Sequence, residues 1–85
     1  MSDSNAVIIY ATEWCFDCRR ARKFFDLHQI PYEWVNIDRD PKAEQYVLKV
    51  NRGMRSVPTI VFNDGSILVE PNDTQLADKL GLNKS

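Results

Sequence analysis

Two cysteines, Cys15 and Cys18, stand in the stretch TEWCFDCRRARKFF with Phe16 and Asp17 between them. Thiols at this spacing can hold a metal, form a fixed cross-link or exchange electrons as a dithiol–disulfide couple. A closed structural zinc site takes four ligands from cysteine and histidine. The single histidine, His28, lies nearly three helical turns beyond Cys18, too far to share its ion, and reads instead as a residue finishing the helix. A permanent cross-link would close so small a loop that the gain from restricting the unfolded chain is minor. Exchange fits the geometry: a three-residue helical step separates Cα atoms by about 5 Å, inside the roughly 4.4 to 6.8 Å a disulfide accepts. No metal site is expected.

The elements around the pair follow from apolar spacing. AVIIYA, residues 6–11, is a short continuous apolar run and predicts a first strand buried on both faces. From Phe16 to His28 the spacing turns helical, with Cys18, Ala21, Phe24 and Phe25 on one face, Arg19, Arg20, Arg22 and Lys23 on the other, and Pro31 forbidding continuation. Cys15 therefore falls at the strand-to-helix turn, where unpaired N–H groups favour a thiolate, and Cys18 lies one turn deeper. One sulfur should attack and the other resolve.

Further on, YEWVNI (32–37) fits a second strand. Asp40 is placed to cap a helix opening at Pro41, with Ala43, Tyr46, Val47 and Val50 on its apolar face and Gly53 as its end. TIVF and ILVE, joined by Asn63-Asp64-Gly65-Ser66, predict a hairpin. A last helix runs from Asn72 to about Leu82, with a cap and a Gln three residues on. The first two strands, joined by a helix, should be parallel, and the hairpin adds antiparallel strands. The expected architecture is α/β, about four strands in a mixed sheet with three helices.

With 85 residues and 44% hydrophobic content, the chain is expected to form one domain across 1–85, burying roughly 60 to 65% of its unfolded surface, with 1–5 a flexible lead. A net charge of -1 and a pI near 5.7 give no overall field for nucleic acid or acidic membranes. MSDSN carries no basic flank, and AVIIYA is too short for a secretory core or a membrane span. A cytoplasmic setting is expected, where a lone cysteine pair is more often catalytic or metal-binding than structural.

A Cys-x-x-Cys beside a strand-helix-strand pattern reads as a thioredoxin-like redox motif. Taken together, TEWCFDC, SVPT before the third strand and FNDGSILVEPN before the last helix resemble the glutaredoxin family, particularly its mycoredoxin branch. The likeness extends over almost the whole chain and implies the thioredoxin-like glutaredoxin fold. By this resemblance Cys15 is the nucleophile, Cys18 the resolving thiol, and Pro58 follows a cis peptide bond that leaves the Val57 N–H and C=O to meet an extended thiol substrate. Trp14 before the nucleophile is a candidate substrate wall or an anchor for the turn, Phe16 after it is a candidate substrate contact, and Asp73 is a candidate contact for a polar substrate group or a first-turn acid that complements the helix dipole.

The implied activity is reduction of mixed disulfides between proteins and a low-molecular-weight thiol, mycothiol or glutathione, which serves as co-substrate with no bound cofactor. Disulfide-containing proteins and a disulfide reductase are the expected partners, and the chain is expected to act as a monomer. Many glutathione users carry Gly-Gly and Asp before the last helix, where this chain has Glu70-Pro71-Asn72-Asp73. Proline removes a donor and Glu70 adds repulsion, which disfavours glutathione docking, and mycoredoxin-like sequences also carry a proline followed by a capping residue here, a resemblance that favours mycothiol or another low-molecular-weight thiol. Phe16-Asp17 also departs from the usual Pro-Tyr or Gly-Tyr between the cysteines. Two other readings stay open: an electron donor to ribonucleotide reductase recharged by thioredoxin reductase, whose Trp-Ser-Gly-Phe-type signature is missing here, and an iron-sulfur module pairing Cys15 from two chains with external thiols.

Overall fold

The computed structural model describes residues 7–82. The expected flexible lead, and Ala6 at the start of the first strand, lie outside the described residues. Strand β1 (Val7–Ala11) is followed by α1 (Phe16–Leu27), β2 (Tyr32–Asn36), α2 (Pro41–Val50), β3 (Thr59–Val61), β4 (Ile67–Val69) and α3 (Asp73–Leu80). The sheet order is β2-β1-β3-β4. β1 pairs parallel with β2 and antiparallel with β3, which pairs antiparallel with β4. This is the expected mixed sheet, and Ile9 sits at its centre between Trp34 and Ile60.

Alternation along β1 divides the core. Val7, Ile9 and Ala11 are buried with Cys18, Ala21, Phe24 and Phe25 of α1 and Leu76 of α3, so α1 and α3 cover one face. On the other face α2 places Ala43 and Val47 over Ile37, with Tyr10, Val35 and Val57 packed around them. Burial of β1 on both faces is thus only half realised. Ile8 and Tyr10 are half-buried, because a ten-residue α2 leaves them in an open groove of about 360 Å³ shared with Glu33, Val35 and Tyr46.

Helix ends follow local chemistry. Asp40 accepts the Ala43 N–H at 3.1 Å, with Pro41 in the first turn. α2 stops at Val50, short of Gly53. Asn51 ends it by turning its amide back to the Val47 carbonyl at 2.9 Å and across to Thr59 Oγ1 at 3.1 Å. Gly53, at φ 89°, then closes the turn with an N–H to Leu48. α1 ends at His28, whose N–H meets the Phe24 carbonyl at 3.1 Å and whose ring lies 4.4 Å from that of Phe24. No helix among the described residues is long and apolar enough to cross a membrane.

Candidate active site

Cys15 is the N-cap of α1, in extended backbone, and its side chain occupies the position a capping oxygen usually takes. Its sulfur accepts the Cys18 N–H at 3.0 Å, a hydrogen bond that strengthens when the sulfur carries negative charge. The same sulfur lies 3.6 Å from the Val57 carbonyl. That carbonyl is therefore engaged by the protonated thiol rather than free, whereas the Val57 N–H has no partner among the described residues. The Val57–Pro58 bond is cis.

Both cysteines are free thiols, but they differ in access. Cys15 is half-buried and Cys18 fully buried. Burial pushes the Cys18 thiol well above its ordinary range, helped by its hydrogen bond with Cys15 and by the nearby Asp17 carboxylate, while a hydrogen bond with the Thr12 backbone pulls the other way. The folded thiol thus keeps its proton to higher pH than the unfolded one. As pH rises past about 8.5, the unfolded chain loses that proton first. Stability should fall from there by at most about 1.4 kcal/mol per pH unit. Urea unfolding of the reduced protein between pH 7 and 10 will show this slope, and Cys18→Ala should flatten it.

The segment that carries Val57 is held from two sides. Thr59, fully buried, donates its hydroxyl to the Ser56 carbonyl at 2.7 Å while accepting from Asn51. Arg55 donates to Glu44 at 2.6 Å and pairs with Asp38, fastening the loop to α2 and to the turn before it. Sequence reading missed Arg55, Asn51 and Thr59, since partners eight to seventeen residues apart follow no local period.

This arrangement, an accessible sulfur at a helix start backed by a buried thiol beside a cis-proline, is a site for thiol–disulfide exchange. The glutaredoxin family profile matches residues 7–67. This chain belongs to the glutaredoxin family. It is 39% identical over 75 residues to a protein of Mycobacterium tuberculosis named as a glutaredoxin, covering 88% of this chain and 89% of that one. Mycoredoxin 1 of Corynebacterium glutamicum is 36% identical over 74 residues, 87% of this chain and 91% of that protein. The crystal structure of a Methanosarcina mazei glutaredoxin superimposes with a TM-score of 0.76 at 26% identity, covering 92% of this chain and 80% of that one. The chain is a glutaredoxin-family thiol-disulfide oxidoreductase with a Cys15/Cys18 pair.

The remaining expected site residues of this glutaredoxin are placed unequally. Trp14 is 85% and Phe16 77% exposed, so neither anchors the turn, and both stand as apolar surface beside Cys15. Val57 is half-buried and packs against both cores, and Pro58 is buried. Asp73 is exposed in the first turn of α3 with no hydrogen bond to the cysteine pair. Its approach is tied to the site through Glu70, whose N–H donates to the Pro58 carbonyl at 2.8 Å. Glu70 adopts φ 51°, a left-handed conformation that glycine takes more readily. Asp17 is exposed and pairs with Arg20 at 3.7 Å, a solvated first-turn acid. Arg22, expected on the outer face with Arg19, Arg20 and Lys23, is half-buried while those three are exposed. It lies 4.2 Å over the Trp34 ring and donates to the Tyr32 hydroxyl, so it braces α1 against β2.

Proposed function

We propose that this chain reduces mixed disulfides between proteins and a low-molecular-weight thiol, of which mycothiol or a similar one is favoured over glutathione. The contrast between the two sulfurs carries this reading: Cys15 can be reached and Cys18 cannot. The Cys15 thiolate attacks the small thiol's sulfur, forming a new S–S bond as the protein thiol departs with the electron pair and takes up a proton. A second small thiol then releases the first, or Cys18 displaces it and leaves the Cys15–Cys18 disulfide, which a disulfide reductase or two further thiols reopen. Trp14 and Phe16 form the apolar lips, Val57 offers its N–H to the substrate backbone beside Pro58, and Asp73 receives a polar group.

The preference for the small thiol rests on the start of α3. The Gln75 N–H is taken by Asn72 at 2.8 Å and the Asn72 N–H by Gln75 at 2.9 Å. A capping box of this kind removes donors that would otherwise greet a carboxylate, and Glu70 repels one. A thiol built on neutral hydroxylated groups loses nothing there. The resemblance to a mycoredoxin supports the same choice. We place the activity in the cytoplasm, in a monomer.

The test is turnover of one protein mixed disulfide with mycothiol, glutathione or thioredoxin reductase as competing reductant, each with its own NADPH-dependent recycling. Mycothiol should support the highest kcat/KM. Recharging by thioredoxin reductase alone would instead favour the ribonucleotide reductase donor.

A further inference from the structure

Beside Cys15 the outer face of α1 forms an open groove of about 290 Å³, lined by Phe16, Arg19, Arg20 and Lys23. Arg19 and Arg20 lie three and four residues beyond Phe16, and Lys23 lies four and three beyond them, so the set shares a face. Arg20 is paired with Asp17. Arg19 and Lys23 have no ion-pair partner among the described residues. Three cations and one carboxylate therefore border the groove, on a molecule whose net charge is -1. The attraction for acids is local to this face and absent from the molecule as a whole.

We infer that this groove docks an acidic segment of the protein whose disulfide Cys15 attacks. The inference rests on the exchange reading above and extends it to the protein side of the substrate. From Phe16 to Lys23 the face runs about 10 Å along the helix, and its cations are long, exposed side chains with no buried polar anchor among them. Such a surface binds several charges spread along a backbone better than it holds one small ion. Phe16 closes the end nearest Cys15, so a segment lying on the cations leads its disulfide over the apolar lip to the sulfur. Charge complementarity of this kind raises encounter rates and sets register.

The test uses fully reduced protein and two peptides, each with one cysteine joined to thionitrobenzoate, one flanked by glutamates and the other by glutamines. The protein's two thiols give two electrons and two protons to the peptide disulfide. Peptide thiol and coloured thionitrobenzoate are released, and the Cys15–Cys18 disulfide remains. Rates are divided by those with dithiothreitol, which cancels the peptides' own reactivity. At low salt the glutamate peptide should react about tenfold faster, and the advantage should shrink to within about twofold near 0.5 M salt.

Arg19→Gln with Lys23→Gln should remove the advantage and leave the glutamine peptide's rate unchanged. Lys42→Gln with Lys49→Gln, exposed positions on α2, changes net charge equally and should preserve it. Equal rates for the two peptides, or equal loss in both double variants, overturn the inference. So does a groove variant that keeps the peptide preference and loses only turnover of glutathione disulfide, which assigns the groove to a small anionic thiol. A protein that reduces neither peptide sinks the exchange reading itself.

Discussion

Cys15→Ser should lower mixed-disulfide reduction by roughly four orders of magnitude or more, since it removes the one thiol of the pair that a substrate can reach and losing a nucleophile rarely costs less. Serine keeps the capping geometry, so melting temperature and circular dichroism should stay close to the parent's and separate chemistry from folding. Cys18→Ser divides the two routes. If an external thiol completes the cycle, this variant keeps turnover with the small thiol and loses only reduction of protein disulfides that require a second cysteine. If both activities collapse, the dithiol route is obligatory. Activity retained in Cys15→Ser would show that the accessible sulfur is not the attacking one.

The second large effect is on stability. Phe25 is fully buried in the main core, with its ring 6.1 Å from Phe24 and 5.8 Å from Tyr32. Phe25→Ala removes a side chain from the junction of α1 and the sheet, and deletions of that size cost about 3 to 5 kcal/mol. At about 4 to 8 °C per kcal/mol for a domain of this length, the melting temperature should fall by at least about 12 °C. Differential scanning calorimetry of reduced protein measures this. A fall of only a few degrees would mean that the neighbouring rings close the cavity.

Local rules made much of this molecule legible. The apolar step in α1 places Cys18, Ala21, Phe24 and Phe25 inside, Asp40-Pro41 and Asn72-Gln75 state where helices begin, and Gly65 marks the hairpin turn at φ 89°. The cysteine spacing announces exchange. What stayed illegible depends on which distant groups meet. A charge run reads alike whether its members face water or a ring, so nothing local separates Arg22, stacked on Trp34, from Arg19, which has no ion-pair partner among the described residues. Arg55 with Glu44 and Asp38, and Thr59 with Asn51, are meetings of the second kind. They hold the Val57 loop, yet no residue in SVP announces them. Gly53 marks the end of α2 only in part, because Asn51 already caps the helix at the Val47 carbonyl and the glycine closes the turn that follows, at the Leu48 carbonyl.

The burial of Cys18 also acts as a clock. In the proposed mechanism the resolving sulfur must give up its proton before it can attack, and desolvation, the largest cause of its reluctance, persists after Cys15 has bonded to its substrate. The mixed disulfide therefore has a dwell time, during which a small thiol from solution competes to finish the cycle. Which exit prevails becomes a matter of cellular thiol concentration and pH: scarce thiol or alkaline conditions send electrons inward through Cys18, while abundant thiol near neutrality draws them outward. In the proposed mechanism the proton on buried Cys18 thus ties the choice of exit to the thiol supply and pH around the site.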